Sequence, residues 1–245
     1  LSLSQSLRRG AVADRADAGI RDTMLNTPAT RPTSSSGLRE GMPVAEQRKQ
    51  TTRRAELISA TRRVAGRSGL SGTNVRAVAA EAAVSTGSVL YYFPSFDDLV
   101  YASVEGVMEE MYARRRELAE NESDPARRLV KLVEAGVPDE ISDHLRMAYE
   151  SVPLLRAQPQ YRPLHRSIVE RQVSLYRSTL DLGVALGRFH PTADIGTIAR
   201  NIVALEDAYD LYPLIGVETP AAVHRESILS YLQTALGVSF DDATD

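Results

Sequence analysis

The sequence predicts an all-α protein, in which an N-terminal three-helix unit joins a C-terminal helical bundle for about nine helices in total. Three observations predict it. From about Glu46 to Leu236 the apolar residues recur at spacings of three and four. No stretch alternates apolar and polar residues between turn formers, as a half-buried strand would. Turn-forming clusters cut the run into helical lengths at Asn121 to Pro125, Gly136 to Pro138, Gln158-Pro159, His190-Pro191 and Gly216 to Pro220.

Each element has a local cause. Leu57, Ile58, Ala60 and Val64 form the apolar face of a helix expected over 45–67, which Ser68-Gly69 should end. Thr73 or Asn74 caps a short helix that turns Val75, Val78, Ala79 and Ala82 inward. Ser85 opens a second short helix, which ends at Phe93 because a following proline disfavours helical geometry. Ser95 caps a long helix to about Glu120, with Asp97 and Asp98 beside the positive end of its dipole. Further helices are expected over 125–135, 139–156, 160–187, 192–214 and 220–236, with Pro153 and Pro163 kinking or delimiting theirs. Residues 1–44 read as a disordered leader, 45–94 as one domain, 95–237 as a second and 238–245 as a C-terminal tail.

A chain of 245 residues, 43% hydrophobic and 25% charged, has the balance of a globular protein with a sizeable core. No apolar run approaches the ~18 to 20 residues of a membrane helix. The lack of cysteine excludes disulfide scaffolds, thiolate metal sites and cysteine nucleophiles, and it fits a reducing compartment. With no secretory pattern at the start, a cytoplasmic location is expected. The net charge of -3 conceals an asymmetry, since residues 1–41 carry a formal +2, 42–100 a +3 and 101–245 a -8. A basic half joined to an acidic half is the distribution expected when one part meets a polyanion; two differently solvated surfaces are the alternative.

Two helices of about eight residues with a tight turn between them have the dimensions of a helix-turn-helix, whose second helix fits the major groove of DNA. Ser85, Thr86, Gly87 and Ser88 open that helix with hydroxyls, N–H groups and room for close approach, and Tyr91 and Tyr92 add phenol donors. Arg53, Arg54, Thr73, Asn74 and Arg76 flank it with further donors. From these residues alone, an ordinary helical hairpin with a tyrosine in a core remains an alternative.

The runs Arg54-Ala55-Glu56-Leu57-Ile58, Thr73-Asn74-Val75-Arg76-Ala77-Val78-Ala79 and Val84-Ser85-Thr86-Gly87-Ser88-Val89-Leu90-Tyr91-Tyr92-Phe93-Pro94-Ser95 resemble the TetR family of transcriptional regulators. The resemblance implies a homodimeric, ligand-responsive repressor of a palindromic DNA operator, with no enzymatic activity. Residues 125–215 are more loosely similar to the ligand-binding half of BetI-type members, through Ala148-Tyr149-Glu150, the Tyr161 to Leu180 helix and Leu186-Gly187-Arg188-Phe189. Three positions depart from the family pattern. Ala83 replaces a turn glycine, Leu90 a frequent tyrosine or histidine, and Phe96 a lysine that holds a phosphate. By that comparison, Phe96→Lys is expected to tighten DNA binding at every sequence.

One recognition helix reads too few base pairs for specificity, so a dimer is expected. Ile198, Ile202, Leu205, Tyr209 and Tyr212 recur at helical steps, and Ala221, Ile228, Leu232 and Ala235 form a second stripe. In the family this helix pair builds the dimer interface, which makes Ile198, Ile202, Leu205, Tyr209, Tyr212, Ile228 and Leu232 the expected contacts; both stripes facing the chain's own core is the alternative. Glu206, Asp207 and Asp210, with Tyr149, Glu150 and Tyr176 on other helices, offer charge pairing and cation–π contact to a cationic small-molecule effector, unless they are solvated or paired with arginines. The positions three before His144, His165, His190 and His224 are Ile141, Arg162, Gly187 and Ala221, so the Glu-x-x-His of a di-iron bundle is missing. His-Glu-x-x-His, Gly-x-x-x-x-Gly-Lys and Gly-x-Ser-x-Gly are missing too, and no catalytic residue, metal or cofactor is expected. The rival to a DNA-binding regulator is an all-α interaction protein whose helix-turn-helix no longer binds DNA, to which Leu90 and Phe96 point.

Overall fold

The computed structural model describes residues 44–240; the expected leader up to residue 43 and residues 241–245 of the expected tail lie outside the described residues. Among the described residues the chain is all-helical: α1 Val44–Gly72, α2 Val75–Glu81, α3 Thr86–Tyr92, α4 Phe96–Glu120, α5 Pro125–Gly136, α6 Asp143–Glu150, a 3-10 turn Val152–Arg156, α7 Tyr161–Ala185, α8 Ile195–Leu214 and α9 Ala221–Leu236. None of these helices is long and apolar enough to cross a membrane.

Local chemistry sets the boundaries. Asn74 Oδ1 accepts the N–H groups of Arg76 and Ala77 at 3.1 Å, Ser85 Oγ accepts that of Ser88, and Ser95 with Asp98 closes a reciprocal cap on α4. Each such cap contributes ~1 kcal/mol. The first helix breaks where Ser68-Gly69 predicts: Gly69 has φ 69 and ψ 168, and a separate last turn follows to Gly72. Where one helix is expected over 139–156, the structure has α6 and the 3-10 turn. Ser142 caps α6 through the Leu145 N–H, and Pro153, lacking a donor, ends the α-helical ladder. Pro163 sits in the first turn of α7, where its missing N–H has no intrahelical role, so the helix runs on past it. Asp194, accepting the Thr197 N–H at 2.8 Å, starts α8 later than residue 192.

Three apolar clusters hold the helices. Leu57, Ala60, Val64, Val78, Val89, Phe93 and Leu99 join α1 to α4 around the helix-turn-helix. Ala65, Val104, Met108, Met147, Tyr161 and Leu164 pack α1 and α4 on α6 and α7. The largest cluster unites the end of α4 with α5, α7, α8 and α9, and Phe240, within the expected tail, is buried in it.

One expectation changes here. Ile198, Ile202, Ile228 and Leu232 are fully buried in that largest cluster, with Leu205 and Tyr209 half-buried against it. Tyr212 packs its ring on Tyr209 and His224. The buried members of the stripes thus face the chain's own core, while Leu205, Tyr209 and Tyr212 keep part of their surface exposed. Phe96 is half-buried and packs against both of the N-terminal clusters. Phe96→Lys is therefore expected to lower stability by about 1 to 2 kcal/mol, read as a fall in Tm, because it removes aromatic burial. Ala83 adopts φ 53, in line with its turn position, at a cost of roughly 1 kcal/mol.

Candidate nucleic-acid interface and ligand site

α3 is a two-turn helix with opposite faces. Val89 and Phe93 are buried, while Ser85, Thr86, Gly87, Leu90 and Tyr91 are exposed, Tyr91 by 77%. No acidic residue occurs on α3. Asn74 and Arg76 lie exposed at the start of α2, and Ser88 is half-buried. Arg53 is exposed and pairs with Glu56 at 2.6 Å.

Two expected donors, Thr73 and Arg54, hold the fold together. Thr73 is buried, and its hydroxyl donates to the Gly69 carbonyl at 2.7 Å, closing the break in α1. Arg54 donates to the Tyr92 carbonyl, and its guanidinium lies 4.0 Å over the Phe93 ring, so it fastens the end of α3 to α1. Tyr92 is half-buried against the same cluster, edge-on to Tyr91. Of the tyrosine pair, Tyr91 is the more exposed.

In the C-terminal half a polar network lies inside the bundle. Arg115 of α4 donates through Nη2 to both Glu206 oxygens at 2.9 and 3.0 Å, to the Tyr176 hydroxyl at 3.0 Å and to the Leu132 carbonyl at 3.3 Å. Its Nη1 reaches Gln172 Oε1 at 3.1 Å. The Tyr176 hydroxyl donates to Glu206. Gly136 makes room for this carboxylate, since a Cβ there would collide with it. Burial opposes the Arg115 charge, but Glu206 and Tyr176 outweigh that and the guanidinium holds its proton more tightly than usual. Tyr176 and Glu206 are therefore internal partners of Arg115.

Glu150 also has a structural partner, its Oε2 accepting the Leu70 N–H at 2.6 Å just after the break in α1. What remains of the expected site is Tyr149, Asp207 and Asp210. The Tyr149 hydroxyl lies 3.3 Å from the Asp207 carbonyl and 3.5 Å from its carboxylate. Asp210 is 7% exposed and its Oδ1 has no hydrogen-bond partner. Burial, then the Glu206 and Asp207 carboxylates, push Asp210 up to about 8, with Arg115 offsetting only part.

Since Asp210's pKa is raised by folding, the stability its protonated form contributes is complete below the unfolded value of about 3.9 and is lost as pH rises toward 8. Wild-type Tm is expected to fall across that window more steeply than that of Asp210→Asn; parallel profiles would contradict the assignment.

Comparison with known proteins places these features. The family description "Bacterial regulatory proteins, tetR family" matches residues 57–102, which span most of α1, α2, α3 and the start of α4. The HTH-type transcriptional regulator BetI of Burkholderia ambifaria is 30% identical over 162 residues, 63% of this chain and 78% of that protein. The chain belongs to the TetR family of transcriptional regulators. TetR-family relatives also include the HTH-type transcriptional repressor KstR2 of Mycobacterium tuberculosis, 25% identical over 153 residues, 62% of this chain and 76% of that one. Among solved TetR-like folds, a regulator from Haloarcula marismortui superposes with a TM-score of 0.66 at 22% identity, over 76% of this chain and 99% of that chain. A regulator from Saccharomonospora viridis in complex with choline gives 0.69 at 20% identity, over 76% and 98%. These relatives are transcriptional regulators, and TetR-family members bind DNA operators and small-molecule effectors.

Arg115 is the residue that sequence reasoning missed. It sits in the run Arg114-Arg115-Arg116, where residue type does not distinguish it. Its spacing does: Met108, Arg115 and Ala119 share the inner face of α4 with Val104 and Met111.

Proposed function

We propose that this chain is a repressor that binds a palindromic operator as a homodimer and is released by an organic cation. One observation carries the DNA reading: an acid-free α3 whose exposed face is Ser85, Thr86, Gly87, Leu90 and Tyr91, with Asn74 and Arg76 beside it. Hydroxyls and a phenol there suit phosphates and base edges, and Leu90 suits a thymine methyl group. Selection of bound duplexes from a random pool at fixed salt should enrich an inverted repeat. Recovery of no enriched site would favour the interaction-protein reading.

Dimerisation would use the face of α8 opposite the buried stripe. Asn201, Ala204, Ala208, Leu211 and Ile215 recur at steps of three and four, and Leu211 and Ile215 are 42% and 62% exposed. Val223 of α9 adds another exposed apolar side chain. Ala204→Glu is expected to give a monomer in sedimentation with little change in Tm, because Ala204 is exposed. An unshifted dimer would exclude this face.

For the effector, Asp207 and Asp210 supply negative charge and Tyr149 an aromatic face. The choline held by the Saccharomonospora viridis regulator belongs to this ligand class. Tyr149 and Glu150 are neighbours on α6, one touching Asp207 and the other gripping the Leu70 N–H. A ligand that takes Asp207 from Tyr149 would shift α6 and, through Glu150, the turn that leads into α2. A coupling of ~1 to 3 kcal/mol suffices to release an operator.

A further inference from the structure

We propose that an organic cation displaces a proton from Asp210 when it binds, so that the effector response is gated by pH. This deepens the cationic-effector reading above and rests on it.

The geometry begins with charge supply. Glu206, Asp207 and Asp210 lie within about one turn of α8, and Arg115 from α4 is the cation that its hydrogen bonds bring into this cluster. Its hydrogen bonds go to Glu206, Tyr176, Gln172 and the Leu132 carbonyl, none to Asp210. Asp210 is more than nine-tenths buried, and its Oδ1 meets no donor. A buried carboxylate oxygen without a donor is costly, and a proton on the group removes that cost. A cation with no acidic proton of its own removes it equally well.

Every titratable neighbour bears on the balance. On its own helix Asp210 meets Glu206 and Asp207, which oppose its ionisation; Arg115 from α4 favours it, and Tyr149 from α6 bonds to it. Tyr176 of α7 is held in the Arg115–Glu206 pair. From α9 comes His224, stacked on the ring of Tyr209 at 4.1 Å, with Nε2 unpartnered. With Asp210 held near 8, that carboxyl is largely neutral around neutral pH. The exchange is balanced: the carboxylic acid and a cation become a carboxylate–cation pair, and one proton leaves to solvent.

Tetraethylammonium, whose charge does not change with pH, is the probe. Calorimetric titration of the full chain from pH 6 to pH 9, in buffers of different ionisation enthalpy, should show close to one proton released per cation at pH 6. Affinity should rise roughly 50-fold between pH 6 and pH 8 and level off above, as linkage to a single group near 8 requires. In Asp210→Asn, proton release should vanish and the pH dependence flatten. Binding that is pH-independent and releases no proton would overturn the coupling while leaving the cation reading intact. Proton release retained in Asp210→Asn would assign it to another group, and would also overturn the proposal. No binding at any pH would remove the cation reading itself and the proposal with it.

Discussion

Arg115→Met is expected to lower folding stability by about 3 to 5 kcal/mol, the cost of breaking a buried ion pair by removing one partner. Glu206 is 2% exposed, and Arg115 alone supplies it with two N–H bonds, at 2.9 and 3.0 Å. Methionine occupies a similar volume but offers no donor. Glu206 would be left beside Asp207 and Asp210 without a cation, and Tyr176 would lose the donor that its hydroxyl accepts. Urea denaturation at fixed pH measures the loss. Arg115→Met combined with Glu206→Leu is expected to recover most of it, because an apolar pair of similar volume replaces an ionic one at little net cost. A loss below about 1 kcal/mol in the single variant would mean that the network does not hold α4, α7 and α8 together.

Gly87→Glu is expected to weaken DNA binding on the order of 100-fold, about 2.7 kcal/mol, while leaving the fold intact. Gly87 is exposed in the first turn of α3, and the nearest atom to a Cβ there is Ser85 Oγ at 3.8 Å, so a side chain fits without strain. Near the helix N-terminus a glutamate interacts favourably with the dipole, and losing a glycine raises helix propensity. Tm should therefore hold or rise slightly. Against a duplex the same carboxylate meets phosphates on an otherwise acid-free helix. Fluorescence anisotropy with a labelled duplex, alongside a melting curve, separates the two effects; unchanged affinity would place α3 away from DNA.

The helix-turn-helix was legible because short-range chemistry writes it: Asn74, Ser85 and Ser95 are caps whose type and position suffice, and Pro94 fixes where α3 ends. The stripes on α8 and α9 were legible as buried faces but not as buried against what. Period reports that Ile198 and Ile202 leave water; it does not say whether α5 and α7 or a second chain receives them. Thr73 and Arg54 show a related limit, because a donor's type reveals its capacity while its partner, a carbonyl at Gly69 or Tyr92, is set by the fold. Glu206 and Glu150 read as ligand groups for the same reason. Their partners Arg115 and the Leu70 N–H lie 91 and 80 residues away in the chain.

The most direct test is hydroxyl-radical footprinting on a selected duplex, with wild type and Gly87→Glu at equal salt. Two protected patches are expected, related by a twofold axis and centred one helical turn apart, about 34 to 36 Å, or a whole multiple of it. Both should disappear in the variant. A single patch, or protection that survives Gly87→Glu, would contradict the entry of paired α3 helices into DNA.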